Sequence, residues 1–213
     1  MIDLHIHSTF SDGELIPAEV VSRATAAGYT ALAITDHADP SNLELILENM
    51  GRFCRAMAGA GKADVFPGVE LTHVPPRLIP YLVERSRELG AKVVVVHGET
   101  IVEPVPRGTN LAAIRAGADI LAHPGLLTEA EARLARKNGV FLEITARKGH
   151  SLTNGHVARM AVKTGARMVY NTDSHSPGDF TPWDAALRII RGASLTERDA
   201  LRMQENARRI VER

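Results

Sequence analysis

The chain repeats one local pattern, in which a short apolar run, often preceded by a glycine, is followed by a helical stretch. The seven runs are MIDLHIH, ALAITDH, DVFPGVE, VVVVH, ADILAH, VFLEIT and MVYNTDSH. Glycines such as Gly117 and Gly139 stand just before a run, where helices commonly end in a left-handed residue. Apolar runs that alternate with helices predict parallel strands covered by helices, either in a closed barrel or in an open doubly wound sheet.

Residues that favour the start of a helix, and an amphipathic pattern, are found between and after these runs. Pro17 suits the first turn of the first helical stretch, and Ser41 or Asn42 is expected to cap the longest one. Thr128 and Glu131 have the spacing of a capping box. The C-terminal stretch predicts an amphipathic helix. Its inward-facing residues are expected to be Leu195, Leu201, Ile210 and Val211.

Size and composition indicate a single globular domain over residues 1–213, without a linker-like stretch. The 25 Lys and Arg residues balance the 25 Asp and Glu residues, so no net charge attracts nucleic acid or an anionic membrane. The single cysteine, Cys54, excludes an intramolecular disulfide and favours a reducing compartment, so we expect a cytoplasmic protein. The apolar runs are too short to span a bilayer, and the N-terminal residues lack the pattern of a signal peptide.

Chemically active side chains stand at the ends of these runs. Six of the seven runs end in His, Asp or Glu, and the seventh holds Glu143 in its interior. The carboxyl ends of parallel strands in α/β folds form one mouth where ligands bind, so we expect these side chains to converge there. Together with nearby residues of the same motifs, the candidate ligands number nine. They are His5, His7, Asp12, His37, Glu70, His97, His123, Asp173 and His175.

These nine residues predict a metal centre. His5 and His7 alternate along a strand and therefore face the same side, and imidazole is the commonest metal ligand in proteins. Imidazole and carboxylate without thiolate suit zinc, manganese or iron and do not discriminate among them. Nine donors are enough for three ions with three or four protein ligands each. The other histidines, His73, His150 and His156, are expected to be ordinary core or surface residues, or at most to contact the ligands.

The order of the motifs resembles that of the polymerase and histidinol phosphatase (PHP) family. HIHS with SDG is followed by TDH, GVE, the lone histidine of VVHGE, HPG and DSH, so the resemblance extends from His5 to His175. It implies an α/β fold, namely a distorted (β/α)7 barrel with a metal site at the C-terminal ends of the strands. The cofactors would be two or three divalent metal ions.

The resemblance also implies how the ligands divide among the ions. One ion would be bound by His5, His7, Glu70 and Asp173, a second by Glu70, His97 and His123, and a third by Asp12, His37 and His175. Glu70 would bridge the first two ions, and Glu70 and Asp173 would act in catalysis through the metals. Some members have His where this chain has Asp12, which implies weaker binding or a different metal preference at the third site.

The implied chemistry is phosphoester hydrolysis by a phosphatase. A metal-activated hydroxide would attack phosphorus while the ions neutralise the charge on the phosphoryl oxygens, so no Ser or Cys nucleophile is required. Cationic side chains near the mouth would bind the substrate phosphate. Arg147 and Lys148, which follow the sixth run, and Arg107, on the long loop GETIVEPVPRGTN, are the candidates.

Three functions are compatible with this pattern. The first is hydrolysis of a small phosphomonoester by a stand-alone enzyme similar to histidinol phosphatase, and the second is a nucleotide phosphoesterase or exonuclease. The third is a non-catalytic, RNA-associated scaffold resembling a protein subunit of ribonuclease P, which would have an eroded ligand set and a basic surface. Aromatic residues make up 4% of the chain and no basic stripe accompanies them, which disfavours a groove for long nucleic acid.

Overall fold

The computed structural model describes residues 1–213, and its framework is a parallel β-sheet. The strands are β1 (Ile2–Asp3), β2 (Ala31–Ile34), β3 (His37–Ala38), β4 (Asp64–Leu71), β5 (Val93–His97), β6 (Ile120–Ala122), β7 (Phe141–Thr145) and β8 (Met168–Asn171). Their spatial order is β1-β2-β4-β5-β6-β7-β8, and β3 pairs with β4 beyond β2. The predicted second strand is therefore interrupted at Thr35 and Asp36, where the Asp36 carboxylate accepts hydrogen bonds from Ser8.

The sheet closes between its first and last strands. The Asp173 N–H donates to the His5 carbonyl at 2.9 Å, and the His7 N–H donates to the Ser174 carbonyl at 2.8 Å. The buried Asp3 carboxylate accepts from the N–H of Thr172 at 3.1 Å and from its hydroxyl at 2.5 Å. With β2 and β3 counted as one strand, this arrangement confirms the predicted (β/α)7-type barrel.

Eight helices surround the sheet. They are α1 (Pro17–Ala26), α2 (Leu43–Met57), α3 (Ile79–Glu88), α4 (Thr109–Ala116), α5 (Glu129–Asn138), α6 (Asn154–Thr164), α7 (Trp183–Gly192) and α8 (Glu197–Val211). Pro17 begins α1, Asn42 precedes α2, and Thr128 forms the predicted capping box with Glu131. None of these helices combines the length and apolar character that a membrane crossing requires.

The buried face of α8 differs from the prediction at one residue. Ile210 and Val211 are buried as expected, and so is Leu195, which precedes the helix, but Leu201 is 54% exposed. The residues that face inward along the helix repeat at spacings of three and four, and they are Ala200, Met203, Ala207, Ile210 and Val211. Leu201 lies one position from this stripe, about 100° around the helix, and therefore points away from the sheet.

The alternation of strand residues on β5 explains why His97 faces the interior of the barrel. On β5, Val93 and Val95 pack in an apolar cluster with residues of α8, whereas Val94 and Val96 pack in the cluster that contains most of the surrounding helices. Side chains two residues apart on a strand point the same way, so His97 continues the inward series of Val93 and Val95. The apolar cluster thus forms the floor of the barrel, and the polar side chains lie above it.

Candidate metal centre

The nine predicted ligands lie together at the C-terminal end of the barrel. Six of them line a cavity of about 390 Å³, and they are Asp12, His37, His97, His123, Asp173 and His175. The other three, His5, His7 and Glu70, are buried next to them. Residues that are scattered from one end of the sequence to the other therefore form one continuous cluster, as the strand-end pattern predicted.

Glu70, on β4, occupies the middle of this cluster. Its Oε1 lies 3.2 Å from His5 Nε2 and 3.6 Å from His123 Nε2. Its Oε2 lies 2.7 Å from His37 Nδ1 and 3.7 Å from His7 Nε2. One carboxylate thus contacts imidazoles that come from the β1, β3 and β6 segments.

Asp173 and Asp12 provide two further carboxylates in this cluster. Asp173 Oδ1 lies 3.3 Å from His7 Nε2. Asp12 Oδ1 lies 3.4 Å from His37 Nε2 and 3.2 Å from His175 Nε2. Although burial raises the pKa of Asp12, the hydrogen bond from His175 and the charge of His37 lower it to about 2. Asp12 is therefore an anionic donor at the cavity mouth.

His97 has several neighbours that lie outside the predicted set. The ligand atoms of His97, His123 and His150 lie within 4.8 Å of one another, and a second such group contains His73, His97 and Glu103. His73 and His150, which were expected to be ordinary core or surface residues or at most to contact the ligands, line the cavity together with Glu103. Glu103 is not recognisable as a site residue from the sequence because it lies in the middle of a loop, where no strand end marks it.

His156 lies apart from the cluster, as expected. Its Nε2 pairs with the Leu127 carbonyl at 2.8 Å, and it is not among the residues that line the cavity. The residue belongs to the packing between α6 and the loop before α5.

Hydrogen bonds to one ring nitrogen orient several of the histidines. The Nδ1 atoms of His5, His97 and His175 face the Glu143 carboxylate at 2.8 Å, the Gly98 carbonyl at 3.2 Å and the Asp173 carbonyl at 2.9 Å, respectively. Each of these acceptors requires the proton on Nδ1, which leaves Nε2 free as a metal ligand. The acceptors thereby select the tautomer that a metal site needs.

The protein groups leave several buried polar atoms unsatisfied. His5 Nε2, both ring nitrogens of His7, Glu70 Oε1 and His123 Nδ1 have no hydrogen-bond partner, and the 3.2 Å approach of His5 to Glu70 lacks hydrogen-bond geometry. A buried polar atom without a partner costs about 1–3 kcal/mol. Divalent cations would satisfy His5 Nε2, Glu70 Oε1 and one of the two ring nitrogens of His7, and imidazoles with carboxylates are suitable ligands for them. The residues therefore fit a metal cluster.

The backbone is strained at three residues of the cavity. His73, His123 and Asp173 have φ values of 53°, 26° and 55°, and Ser194 is the only other non-glycine residue with a positive φ. Such conformations cost on the order of 1–3 kcal/mol each and persist where the surrounding structure holds them. Their concentration here supports a functional role for the cavity.

Burial and close charges shift the ionisation of the cluster in both directions. Burial lowers the pKa of His5, but the carboxylates of Glu143, Glu70 and Asp173 outweigh it and raise that pKa well above its usual value. Burial and the neighbouring His37 lower the pKa of His7 well below its usual value. Burial raises the pKa of Asp173. The surrounding carboxylates therefore favour the charged form of His5, whereas burial disfavours the charged forms of His7 and Asp173.

The three predicted phosphate-binding cations occupy different positions. Arg147 lines the cavity and is its one Lys or Arg residue. Its Nη1 lies 3.3 Å from Oδ2 of Asp179, which also accepts the backbone N–H groups of His175 and Ser176. Lys148 and Arg107 are exposed and lie outside the cavity lining.

A barrel that carries such a cluster at its C-terminal mouth belongs to a class of metal-dependent hydrolases, and comparison with known proteins identifies the family. The sequence model of the PHP domain matches residues 3–100. An uncharacterized protein of Methanocaldococcus jannaschii is 45% identical over 199 residues, which cover 92% of this chain and 91% of that protein. The 5'-3' exoribonuclease Rnm of Escherichia coli is 30% identical over 167 residues, or 76% of this chain and 48% of the relative.

A solved structure supports the fold independently. The ochratoxinase of A. niger superposes with a TM-score of 0.65 at 16% identity, covering 99% of this chain and 71% of that one. This similarity concerns the fold alone. The chain belongs to the PHP family of metal-dependent phosphoesterases.

Proposed function

We propose that this chain hydrolyses a small phosphomonoester, as a histidinol phosphatase does. The observation that carries the proposal is the cavity, whose volume of about 390 Å³ suits one small molecule. Its lining contains one hydrophobic residue, Ala38, and one guanidinium, that of Arg147. A cavity with polar walls, metal ligands and one cation fits a compact phosphorylated metabolite.

Different residues of the cavity would have different roles in hydrolysis. Bound zinc, manganese or iron ions supply positive charge to the phosphoryl oxygens and lower the pKa of a coordinated water. The nine predicted ligands would hold up to three ions, and Glu70 and Asp173 would act through these ions. The guanidinium of Arg147 would bind phosphate oxygens through charge-assisted hydrogen bonds, and Asp179 would keep that guanidinium in place.

A nucleotide phosphoesterase is the second candidate. The similarity to the exoribonuclease Rnm favours it, and so does the imidazole of His73, which is 45% exposed at the cavity and could stack on a base. The complete set of nine donors disfavours the non-catalytic scaffold, for which an eroded set was expected.

A substrate panel tests the proposal. The metal-replete protein would be assayed with histidinol phosphate, sugar phosphates, nucleoside monophosphates, nucleoside 3',5'-bisphosphates and oligonucleotides, with chelator-treated protein and Asp173→Asn as inactive controls. We expect the highest kcat/KM with a small monoester. Faster degradation of oligonucleotides than of every monoester would favour the second candidate, and a lack of any metal-dependent hydrolysis would refute both.

A further inference from the structure

Glu103 lies where three imidazoles converge. It belongs to the loop of residues 99–108 between β5 and α4, and its side chain is 38% exposed. Its Oε2 lies 3.1 Å from His97 Nε2 and 3.4 Å from His73 Nε2, and its Oε1 lies 3.4 Å from His150 Nε2. Among these four residues, the predicted ligand set includes only His97.

The distances within this group are those of ligands that share one ion. Two ligand atoms that are each 2.0–2.1 Å from a tetrahedral zinc ion lie about 3.3 Å apart. The separations of Glu103 from His97 and His73 are close to this value. They also match the contacts of Asp12 with His37 and His175, at 3.4 and 3.2 Å, in the predicted third site. The oxygen-to-nitrogen distances that support Asp12 as a metal ligand therefore support Glu103 equally well.

The base of the loop is fixed in a way that holds Glu103 at the cavity. Glu99 Oε1 accepts the N–H groups of Gly108 at 2.9 Å and Asn110 at 3.0 Å, which ties the two ends of the loop together. The Glu103 carbonyl accepts the Val105 N–H at 2.9 Å, which turns the chain back. The middle of the loop is otherwise exposed, so its position depends on these bonds and on the Glu103 carboxylate.

The two additional histidines are also positioned by the fold. The Thr100 hydroxyl pairs with His150 Nδ1 at 2.8 Å, which directs the other ring nitrogen toward Glu103. His73 adopts a left-handed backbone conformation, with a φ of 53°, two residues after the end of the strand that carries Glu70. The imidazoles of His73 and His150 are therefore preorganised to bind a metal ion or to contact the Glu103 carboxylate.

We propose that Glu103 is a carboxylate ligand of the ion that His97 binds, with His73 as a further ligand at the outer edge. The loop of residues 99–108 then becomes a wall of the cavity that the ion anchors. This inference rests on the proposed function, since it requires that the cluster bind divalent cations. It adds a protein ligand from a loop to a site whose predicted ligands come from strand ends.

Trypsin cleavage within the loop of residues 99–108 can test whether an ion anchors this loop. Arg107 and Gly108 are both exposed, and trypsin cleaves after arginine. In the wild-type full-length protein, stripped with a chelator and titrated with Zn²⁺, we expect Zn²⁺ to slow cleavage at Arg107. In Glu103→Gln, which preserves side-chain size but removes the charge, this protection should be lost. The Zn²⁺ affinity of the weakest site, measured by competition with a chromophoric chelator, should fall at least about tenfold.

Glu84→Gln is the matched control, because Glu84 is exposed on α3 and the same charge is removed. It should behave as the wild type in both measurements, and circular dichroism should show all three proteins folded. Wild-type Zn²⁺ affinity or wild-type protection in Glu103→Gln would overturn the assignment of Glu103 and leave the proposed function intact. A wild-type protein that binds no Zn²⁺ or Mn²⁺ would overturn both.

Discussion

Glu143 holds the imidazole of His5 through a hydrogen bond from Nδ1 to Oε1 of 2.8 Å. The same carboxylate accepts the Asn171 amide at 2.8 Å and the backbone N–H of His123 at 3.0 Å. Burial raises the pKa of Glu143, but the charge and hydrogen bond of His5 outweigh it and lower that pKa, so the group is an anion. One buried side chain thus fixes His5 on one side of the site and the backbone of His123 on the other.

Replacing Glu143 with Gln should weaken metal binding without removing a ligand. Glutamine has one acceptor oxygen for three donors, so His5, Asn171 or His123 would lose its partner. We expect a loss of roughly 10- to 100-fold in metal affinity, as for other residues that orient metal ligands. Isothermal titration with Mn²⁺ or Zn²⁺ measures this loss, with Glu84→Gln as the control. An unchanged affinity would show that Glu143 does not position His5.

Replacing Glu70 with Gln should reduce both metal content and turnover. Glu70 contacts histidines from three segments of the barrel, and an amide is a poor bridge between two cations. We expect at least one ion fewer per chain by elemental analysis. We also expect kcat to fall at least about 100-fold, since metal ions contribute several kcal/mol to transition-state stabilisation. A folded variant with wild-type stoichiometry and activity would contradict the bridging role.

Replacing Arg147 with Ala should affect substrate binding more than metal binding. A charge-assisted hydrogen bond contributes about 1.5–3 kcal/mol, so KM for the best monoester should rise about tenfold or more. Metal content should remain that of the wild type. Lys148→Ala and Arg107→Ala provide the comparison, because both residues are exposed and lie outside the cavity lining. Equal effects of all three substitutions would argue against a specific role for Arg147.

Removing the metal ions should lower the melting temperature without unfolding the barrel. Chelation leaves His5, His7, Glu70 and His123 with unsatisfied buried atoms, whereas the apolar floor of the barrel does not depend on metal. An ion at 100 times its Kd adds about 2.7 kcal/mol, or about 5–10 °C per site for a chain of this size. Calorimetry before and after verified metal removal checks this expectation. Identical melting curves before and after metal removal would count against tightly bound ions.

The fold and the nine clustered donors could be predicted because both depend on local patterns. A buried parallel strand appears in the sequence as an apolar run. Its last residue lies at the carboxyl edge of the sheet, whether the sheet is open or closed into a barrel. The predicted inward position of Leu201 was wrong because helical periodicity tolerates an apolar residue one position from the buried stripe.

Other parts of the site depend on contacts that no local pattern reveals. Glu103 reaches His97 only because the loop of residues 99–108 folds back over the cavity. Glu143 was visible as a carboxylate within a strand, but its partners, His5 and Asn171, are distant in sequence. His73 and His150 follow strands at a distance of a few residues, and only the course of the connecting loops brings them into the cavity.

The seam between β1 and β8 sets the order of events when the protein is made. It joins Asp3 to Thr172, 169 positions apart, and the same seam brings His5 and His7 to Asp173. A nascent chain whose β8 has not left the ribosome therefore cannot assemble the cluster, however well its earlier strands have folded. The predicted site formed by His5, His7, Glu70 and Asp173 is therefore complete only after this last strand is in place, so occupancy of that site would report a closed barrel.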